Sequence, residues 1–275
     1  APVVKECDRK GEFPMEVFRK FCEVGFNSMF LPEAYGGQGL GAMDMVLVYE
    51  EFAKVDAGFI CSASTGEFGI EPILVAGTEE QKKYYMDFIL QGGLGAFALT
   101  EPNAGSDAAA TRTTAVRDGG DYIVERDRPG VSVGKDEDKM GMRLSCTSDV
   151  IFEDVRIPAK NLVGAEGKGF GLAMKCLDRS RGVNSYGALG IAQRALDEAV
   201  AYAKQRKTFG RPIIGHQGVQ FLMADMEIDV TTARALLWQC AQMVDKGVFD
   251  TKLGSVTKTF LSEMAMRVTT SAVQV

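Results

Sequence analysis

From residue 186 to residue 275 the chain carries long apolar stripes at helical spacing, which can be hidden from water only by packing helices side by side. Tyr186 to Lys207 sets Leu189, Ala192, Leu196, Val200 and Ala203 on one face, with Arg194, Asp197, Glu198 and Lys204 around the rest of the cylinder. His216 to Val244 repeats the pattern with Val219, Leu222, Met226, Ala233, Leu236 and Leu237. A third stretch, Lys252 to Val275, shows no terminating signal. Together they predict a bundle of long antiparallel helices.

Upstream the texture changes. Residues 1–94 read as helical. Pro14 suits a first helical position, and Val17, Phe18, Phe21 and Cys22 form one stripe that Gly25 ends. Leu31 to Gly39 is turn-rich, and from Met43 the residues Val46, Leu47, Glu50, Glu51 and Ala53 make an amphipathic helix. Thr78-Glu79-Glu80-Gln81 has capping-box spacing, with Tyr84, Tyr85, Phe88 and Ile89 expected as the buried face behind it. Between residues 95 and 163, Ala96–Thr100, Asp121–Val124 and Asp149–Pro158 read as strands, the last closed by its proline. Helices, then strands, then long helices predict an α+β fold with segregated layers. Its parts are an N-terminal helical domain over 1–94, a β-domain over 95–163, and a C-terminal four-helix-bundle-like domain over 164–275. Ile123-Val124 runs abruptly into Glu125-Arg126-Asp127-Arg128-Pro129-Gly130; either a missing segment or a charged loop explains the junction.

Composition excludes several classes. A net charge of −6 gives no electrostatic footprint for nucleic acid, and no apolar run reaches the length of a membrane span. The start lacks a basic n-region, a hydrophobic h-region and a Met, so the natural N-terminus is expected upstream. Six widely spaced cysteines read as reduced, mostly buried thiols of an intracellular protein. His216 is the single histidine, which leaves no His-based metal site, and no metal is expected.

The densest chemical signal is Phe97-Ala98-Leu99-Thr100-Glu101-Pro102-Asn103-Ala104-Gly105-Ser106-Asp107. Read from its residues alone, it is either an Asx/Ser turn closing a strand or a loop that offers hydroxyls and main-chain amides to a planar heterocycle or an anionic oxygen. The stretch resembles the flavin-contacting signature A-L-T-E-P-x-A-G-S-D of the acyl-CoA dehydrogenases. Other blocks of that family follow in order. They are Leu31-Pro32-Glu33 to Gly39, Lys139 to Arg143, Phe152 to Pro158, Gly167-x-Gly169-Phe170, Leu177-Asp178-Arg179-Ser180-Arg181, Arg206 to Gly210, and His216-Gln217. The resemblance covers essentially the whole chain and looks nearest to the short- and medium-chain group.

This resemblance implies the acyl-CoA dehydrogenase fold and FAD as cofactor. Phe97, Leu99, Thr100, Gly105 and Ser106 are implied to line the isoalloxazine ring. Ser106, Asp178 and Arg181 are implied to meet the CoA side of the substrate, with Thr100 and Ser106 sharing a cavity with Arg181. Arg206, Thr208, Phe209 and Gln217 are implied to hold FAD pyrophosphate and adenine, partly across a subunit interface. The implied activity is α,β-dehydrogenation of an acyl-CoA thioester with electrons passed to an electron-transfer flavoprotein. The implied assembly is a homotetramer in a bacterial cytoplasm or a mitochondrial matrix. An enoyl-CoA reductase, or a silent acyl-CoA-binding relative, would share the pattern. The family's catalytic Glu is expected beyond Val275; the minority position for it is occupied by Ser180, and Glu101 is implied to be a turn residue. The W/F-I-T motif that the family places after the Ile123-Val124 strand is absent, which favours a missing segment at 124/125.

Overall fold

The computed structural model describes residues 2–115 and 130–275. Helix α1 spans Pro2–Lys10, and α2 (Met15–Glu23) buries Phe18 and Phe21 on the stripe expected of it. Helix α3 (Ala42–Ala63) breaks once, at Asp56. There the carboxylate accepts the Phe59 amide at 2.7 Å and restarts the helix as an N-cap would. Helix α4 covers Thr65–Ala76 and α5 covers Glu79–Leu90.

The capping box forms as expected: the Gln81 amide donates to Thr78 Oγ1 at 3.2 Å, and the Thr78 amide to Gln81 Oε1 at 2.9 Å. Gln81 Nε2 also donates to the carbonyls of Lys160 and Leu162, tying the cap to a distant loop. The face behind the cap differs from expectation. Met86 and Ile89 are buried against Leu31 and Ile70, while Tyr84 and Phe88 are exposed. Single exposed aromatics are common on protein surfaces, and the aliphatic pair fits the small cluster it faces.

Less sheet forms among the described residues than the sequence predicts. Strand β1 (Val131–Val133) pairs antiparallel with β2 (Val150–Phe152), Val131 opposite Phe152. Ala96–Thr100 forms no strand; the chain there makes only an isolated bridge between Glu101 and Ala104. β2 ends before Asp154, whose φ of +50° turns the chain out of line. An apolar run becomes a strand only where a neighbouring backbone completes its ladder. The expected strand Asp121–Val124 and the junction at Val124–Glu125 lie outside the described residues.

The last third matches its periodicity closely: α6 is Gly169–Ser180, α7 Tyr186–Gln205, α8 Gln217–Asp245 and α9 Thr251–Gln274. Helix α7 packs along α3, α8 and α9. Gly190 explains how close the first of these contacts is, because a Cβ there would stand 2.6 Å from Ala53 Cβ and 2.7 Å from the Glu50 carbonyl oxygen. One core cluster runs from Phe18, Tyr49 and Phe59 through Leu189 and Leu196 to Val230, Leu237 and Leu261. The N-terminal helices and the long C-terminal helices therefore share a single interior.

That interior holds a charge. Glu50, 4% exposed, accepts from Arg234 Nη2 at 2.6 Å and lies 4.0 Å from Lys54 Nζ. Arg234 Nη2 also donates to Gln193 Oε1 at 2.7 Å, so the group links α3, α7 and α8. Removing one partner strands the other in a dry site. We expect Arg234→Met to lower unfolding free energy by about 3 kcal/mol, and the double variant with Glu50→Leu to regain most of it, as read by urea denaturation. Equal loss in single and double variants would show that packing, not the stranded charge, sets the cost.

Candidate functional site

At the end of α7 the chain reverses within two residues. Strand β3 (Lys207–Thr208) pairs with β4 (Arg211–Pro212), Thr208 opposite Arg211, which leaves Phe209 and Gly210 as the turn. Both have positive φ, +51° and +82°, the requirement of a type I′ hairpin. Gly210 meets that requirement freely. Phe209 does not, since a bulky side chain in the left-handed region is strained. Its ring is 97% exposed and touches the His216 ring edge-on, centroids 6.0 Å apart. Packing within the chain does not account for a strained backbone that presents an aromatic side chain to water.

The surroundings of this turn are basic. Residues 204–212 include Lys204, Arg206, Lys207 and Arg211 and no carboxylate. The Ile213 amide donates to the Arg206 carbonyl at 2.8 Å and closes the hairpin onto the start of α8, where Gln217 is the first helical residue. Arg206 and Gln217 are exposed, and Thr208 is half-buried. Thr208 Oγ1 lies 3.0 Å from His216 Nε2, and Arg211 Nη2 lies 3.1 Å from His216 Nδ1. Arg206, Thr208, Phe209 and Gln217 thus stand on one corner. His216 and Arg211 belong to it too, though the sequence gives them no role; their places beside Gln217 and Gly210 are the available signal.

A second group sits at the C-terminal turn of α6. Arg181 Nη1 donates to Asp178 Oδ1 at 3.2 Å and to Ser255 Oγ at 3.3 Å, all half-exposed. Arg179 points elsewhere, donating from Nε to Glu71 Oε1 at 2.7 Å and stacking 4.5 Å over the Phe249 ring. Burial raises the pKa of the Glu71 carboxyl even with that guanidinium beside it. Ser180 Oγ donates to the Cys176 carbonyl at 3.0 Å, an ordinary back-bond along the helix. The Cys176 thiol is pushed up to about 11, by burial first and the Glu71 charge second. Among the described residues all six cysteines are free; Cys176 and Cys240 are buried, while Cys146 is exposed, against expectation.

The loop at 97–106 forms the third group. Glu101 and Ala104 exchange backbone hydrogen bonds of 3.2 and 3.0 Å, anchored by a fully buried Ala104. The Glu101 carboxylate accepts the Arg112 amide at 2.6 Å and the Thr113 amide at 3.0 Å, and these bonds, Arg112 first, hold it below the usual carboxylate range. It is a turn residue, as the resemblance implied. Leu99 is half-buried, whereas Phe97, Thr100, Gly105 and Ser106 are exposed. The cavity expected between Thr100, Ser106 and Arg181 is therefore not enclosed by the described residues. Two clefts among the described residues lie elsewhere, one between α7 and α8 beside Asp197 and Glu227, another between α8 and α9 beside Asp229 and Arg267. Among the described residues no cluster of metal-binding side chains occurs, and no helix is long and apolar enough to cross a membrane.

Comparison with known proteins identifies the family. Residues 1–93 match the family model for the acyl-CoA dehydrogenase N-terminal domain, and residues 167–275 that for the C-terminal domain. An acryloyl-CoA reductase (NADH) of Anaerotignum propionicum is 40% identical over 319 aligned positions, covering all of this chain and 79% of the relative. Since the chain has 275 residues, the relative carries positions within that span that have no counterpart here. Butyryl-CoA dehydrogenase from Megasphaera elsdenii superimposes with a TM-score of 0.95 at 36% identity, over all of this chain and 82% of that one. A chain in the structure of the electron transferring flavoprotein of Acidaminococcus fermentans gives 0.96 at 39% identity, again over all of this chain and 82% of that one.

Two outcomes check the geometry. Phe209→Asn, which tolerates the left-handed turn, should raise the stability of the ligand-free protein by about 1 kcal/mol, seen as a higher thermal midpoint; an unchanged or lower midpoint means that the turn is unstrained. For Glu101 the sign follows from its lowered pKa: its amide bonds hold at neutral pH and fail as pH falls through the folded-state value. Protection factors at the Arg112 and Thr113 amides, with the intrinsic pH dependence of exchange divided out, should therefore be higher at neutral pH than in acid, and Glu101→Gln should flatten that dependence.

Proposed function

This chain belongs to the acyl-CoA dehydrogenase family of oxidoreductases, and from that premise we propose that it binds FAD and desaturates an acyl-CoA thioester between its α and β carbons. The observation that carries the reading is the hairpin corner, where a strained, outward-facing Phe209 stands in a segment, residues 204–212, that carries four cations and no carboxylate. A ring to stack on and positive charge beside it suit a nucleotide pyrophosphate. Arg206 would neutralise the pyrophosphate, Thr208 and Gln217 would donate hydrogen bonds, and Phe209 would meet the adenine. When bound, FAD supplies the acceptor for the β-hydrogen as hydride.

Around the flavin ring, Phe97 and Leu99 would flank the ring system, with the Thr100 and Ser106 hydroxyls and the Gly105 amide directed at its polar edge. Asp178 and Arg181, already paired on α6, would orient the CoA portion, with Ser106 on the same side. The α-proton of a thioester is weakly acidic and needs a desolvated carboxylate to take it. Glu101 is unsuited, being tied by two amides and acidified, and Ser180 carries no carboxylate. The proton goes to a carboxylate other than these.

The spacing of the two groups supports a shared site. Arg181 precedes α7 and Arg206 follows it, and a helix of 20 residues is about 30 Å long. The CoA pair and the nucleotide corner of one chain therefore lie too far apart for a single compact site. A homotetramer in which neighbouring chains complete each other's sites fits that distance. The remaining parts of our reading are an electron-transfer flavoprotein as electron acceptor and a cytoplasmic location. A second reading runs the chemistry backwards, favoured by the 40% identity to an acryloyl-CoA reductase.

The test uses purified protein supplied with FAD. It should be yellow, and butyryl-CoA added without oxygen should bleach it. Bleaching that fails, with dithionite-reduced protein reoxidised by crotonyl-CoA, favours the reductase direction. Protein that stays colourless and retains no FAD overturns the reading.

A further inference from the structure

The chain's single histidine stands between two side chains whose chemistry fixes where its proton sits. Arg211 Nη2 lies 3.1 Å from Nδ1, and Thr208 Oγ1 lies 3.0 Å from Nε2. A guanidinium has donors and no acceptor, so Nδ1 must present its lone pair to Arg211. The hydrogen of the ring then belongs on Nε2, aimed at Thr208. Thr208 Oγ1 receives that N–H, which turns the hydroxyl's own hydrogen away from the ring. An imidazolium would set N–H against N–H at Arg211 and break the arrangement. The hairpin holds all three groups in register, since Thr208 and Arg211 are cross-strand partners and the His216 amide donates to the Ile213 carbonyl at 3.0 Å.

We infer that Arg211 and His216 form a relay that orients the Thr208 hydroxyl as a hydrogen-bond donor toward an anionic oxygen of the bound nucleotide pyrophosphate. His216 is then a positioning residue acting through Thr208. Arg211, although cationic and on the same corner, acts on the imidazole. Nucleotide binding requires an acceptor at this point, and the cations of residues 204–212 favour a charged one. The inference rests on the nucleotide site proposed above.

Two measurements test it on the whole chain. Because His216 is the only histidine, ¹⁵N-labelling gives an unambiguous spectrum. At neutral pH Nδ1 should show the shift of a bare, pyridine-type nitrogen and Nε2 that of a protonated one. A protonated Nδ1, alone or as imidazolium, overturns the relay. The second measurement is calorimetric binding of adenosine diphosphate, with the thermal midpoint of every variant recorded. His216→Leu should weaken binding about fivefold, the worth of one oriented hydrogen bond. His216→Gln, whose amide N–H can still reach Thr208, should recover most of the loss. In a Thr208→Val background His216→Leu should change little, because no hydroxyl is left to orient. If the two losses instead multiply, His216 acts independently and the relay is overturned alone. If the wild-type chain fails to bind the probe, or Thr208→Val leaves binding untouched, the nucleotide site falls and takes the relay's target with it.

Discussion

The close approach of α3 and α7 sets the rest of the architecture. It exists because Gly190 offers no Cβ where one would strike the Glu50 carbonyl and Ala53. At that same crossing Glu50 turns inward and is met by Arg234 from α8, with Gln193 of α7 sharing the guanidinium. A buried ion pair contributes little net stability, because desolvation offsets most of the attraction. What it does is penalise other arrangements: a slide of α8 along α3 separates Arg234 from Glu50, and a rotation of α7 withdraws the Gln193 carbonyl from the guanidinium. The registers of α7 and α8 are fixed by that penalty, and the hairpin between them inherits its position. The corner at Thr208 and His216 stands where it does because of an interaction far along the helices from it.

How much of this was legible in the sequence depends on whether an element closes its own hydrogen bonds. Helices do, so Leu189, Ala192, Leu196 and the Thr78–Gln81 cap could be read locally and formed as read. Strands do not. Ala96–Thr100 has the composition of a strand, yet it forms none among the described residues, because composition says nothing of which backbone lies alongside. Within helices the stripe was legible and its edges were not. Leu47 is exposed and Glu50 buried, which reverses what polarity indicates, since the partner that makes Glu50 tolerable lies 184 residues away. Phe88 and Tyr84 differ from expectation for a similar reason: hydrophobicity does not reveal that the small cluster around Leu31 and Ile70 is filled by Met86 and Ile89, with Tyr35 and Tyr85 at its edge.

The functional residues were legible in another way. Periodicity gave no hint of them, and the resemblance to a family supplied their positions. Geometry then sorted them into three places. Asp178 with Arg181 and Arg206 with Gln217 occupy opposite ends of α7, while the 97–106 loop stands by itself with Ala104 as its buried anchor. Glu101 shows how such sorting decides chemistry. It sits in the densest motif and has the right functional group for a base. Two amide donors nonetheless stabilise its charged form, the opposite of what abstraction of a weak acid's proton requires.

Phe209 joins the folding argument to the functional one. In an isolated chain its backbone conformation costs about 1 kcal/mol and its exposed ring recovers almost none of it. An Asn or Gly at that position would satisfy the turn at no such cost. The nucleotide proposed above would account for the cost, since an exposed aromatic beside cations suits a state in which a flat, negatively charged group lies against it. Phe209 sits at the tip of the turn, where its ring meets only the edge of His216 and is otherwise left to solvent. Strain and exposure at Phe209 are therefore one feature: the backbone geometry that costs stability also turns the ring to solvent, where the nucleotide proposed above would meet it.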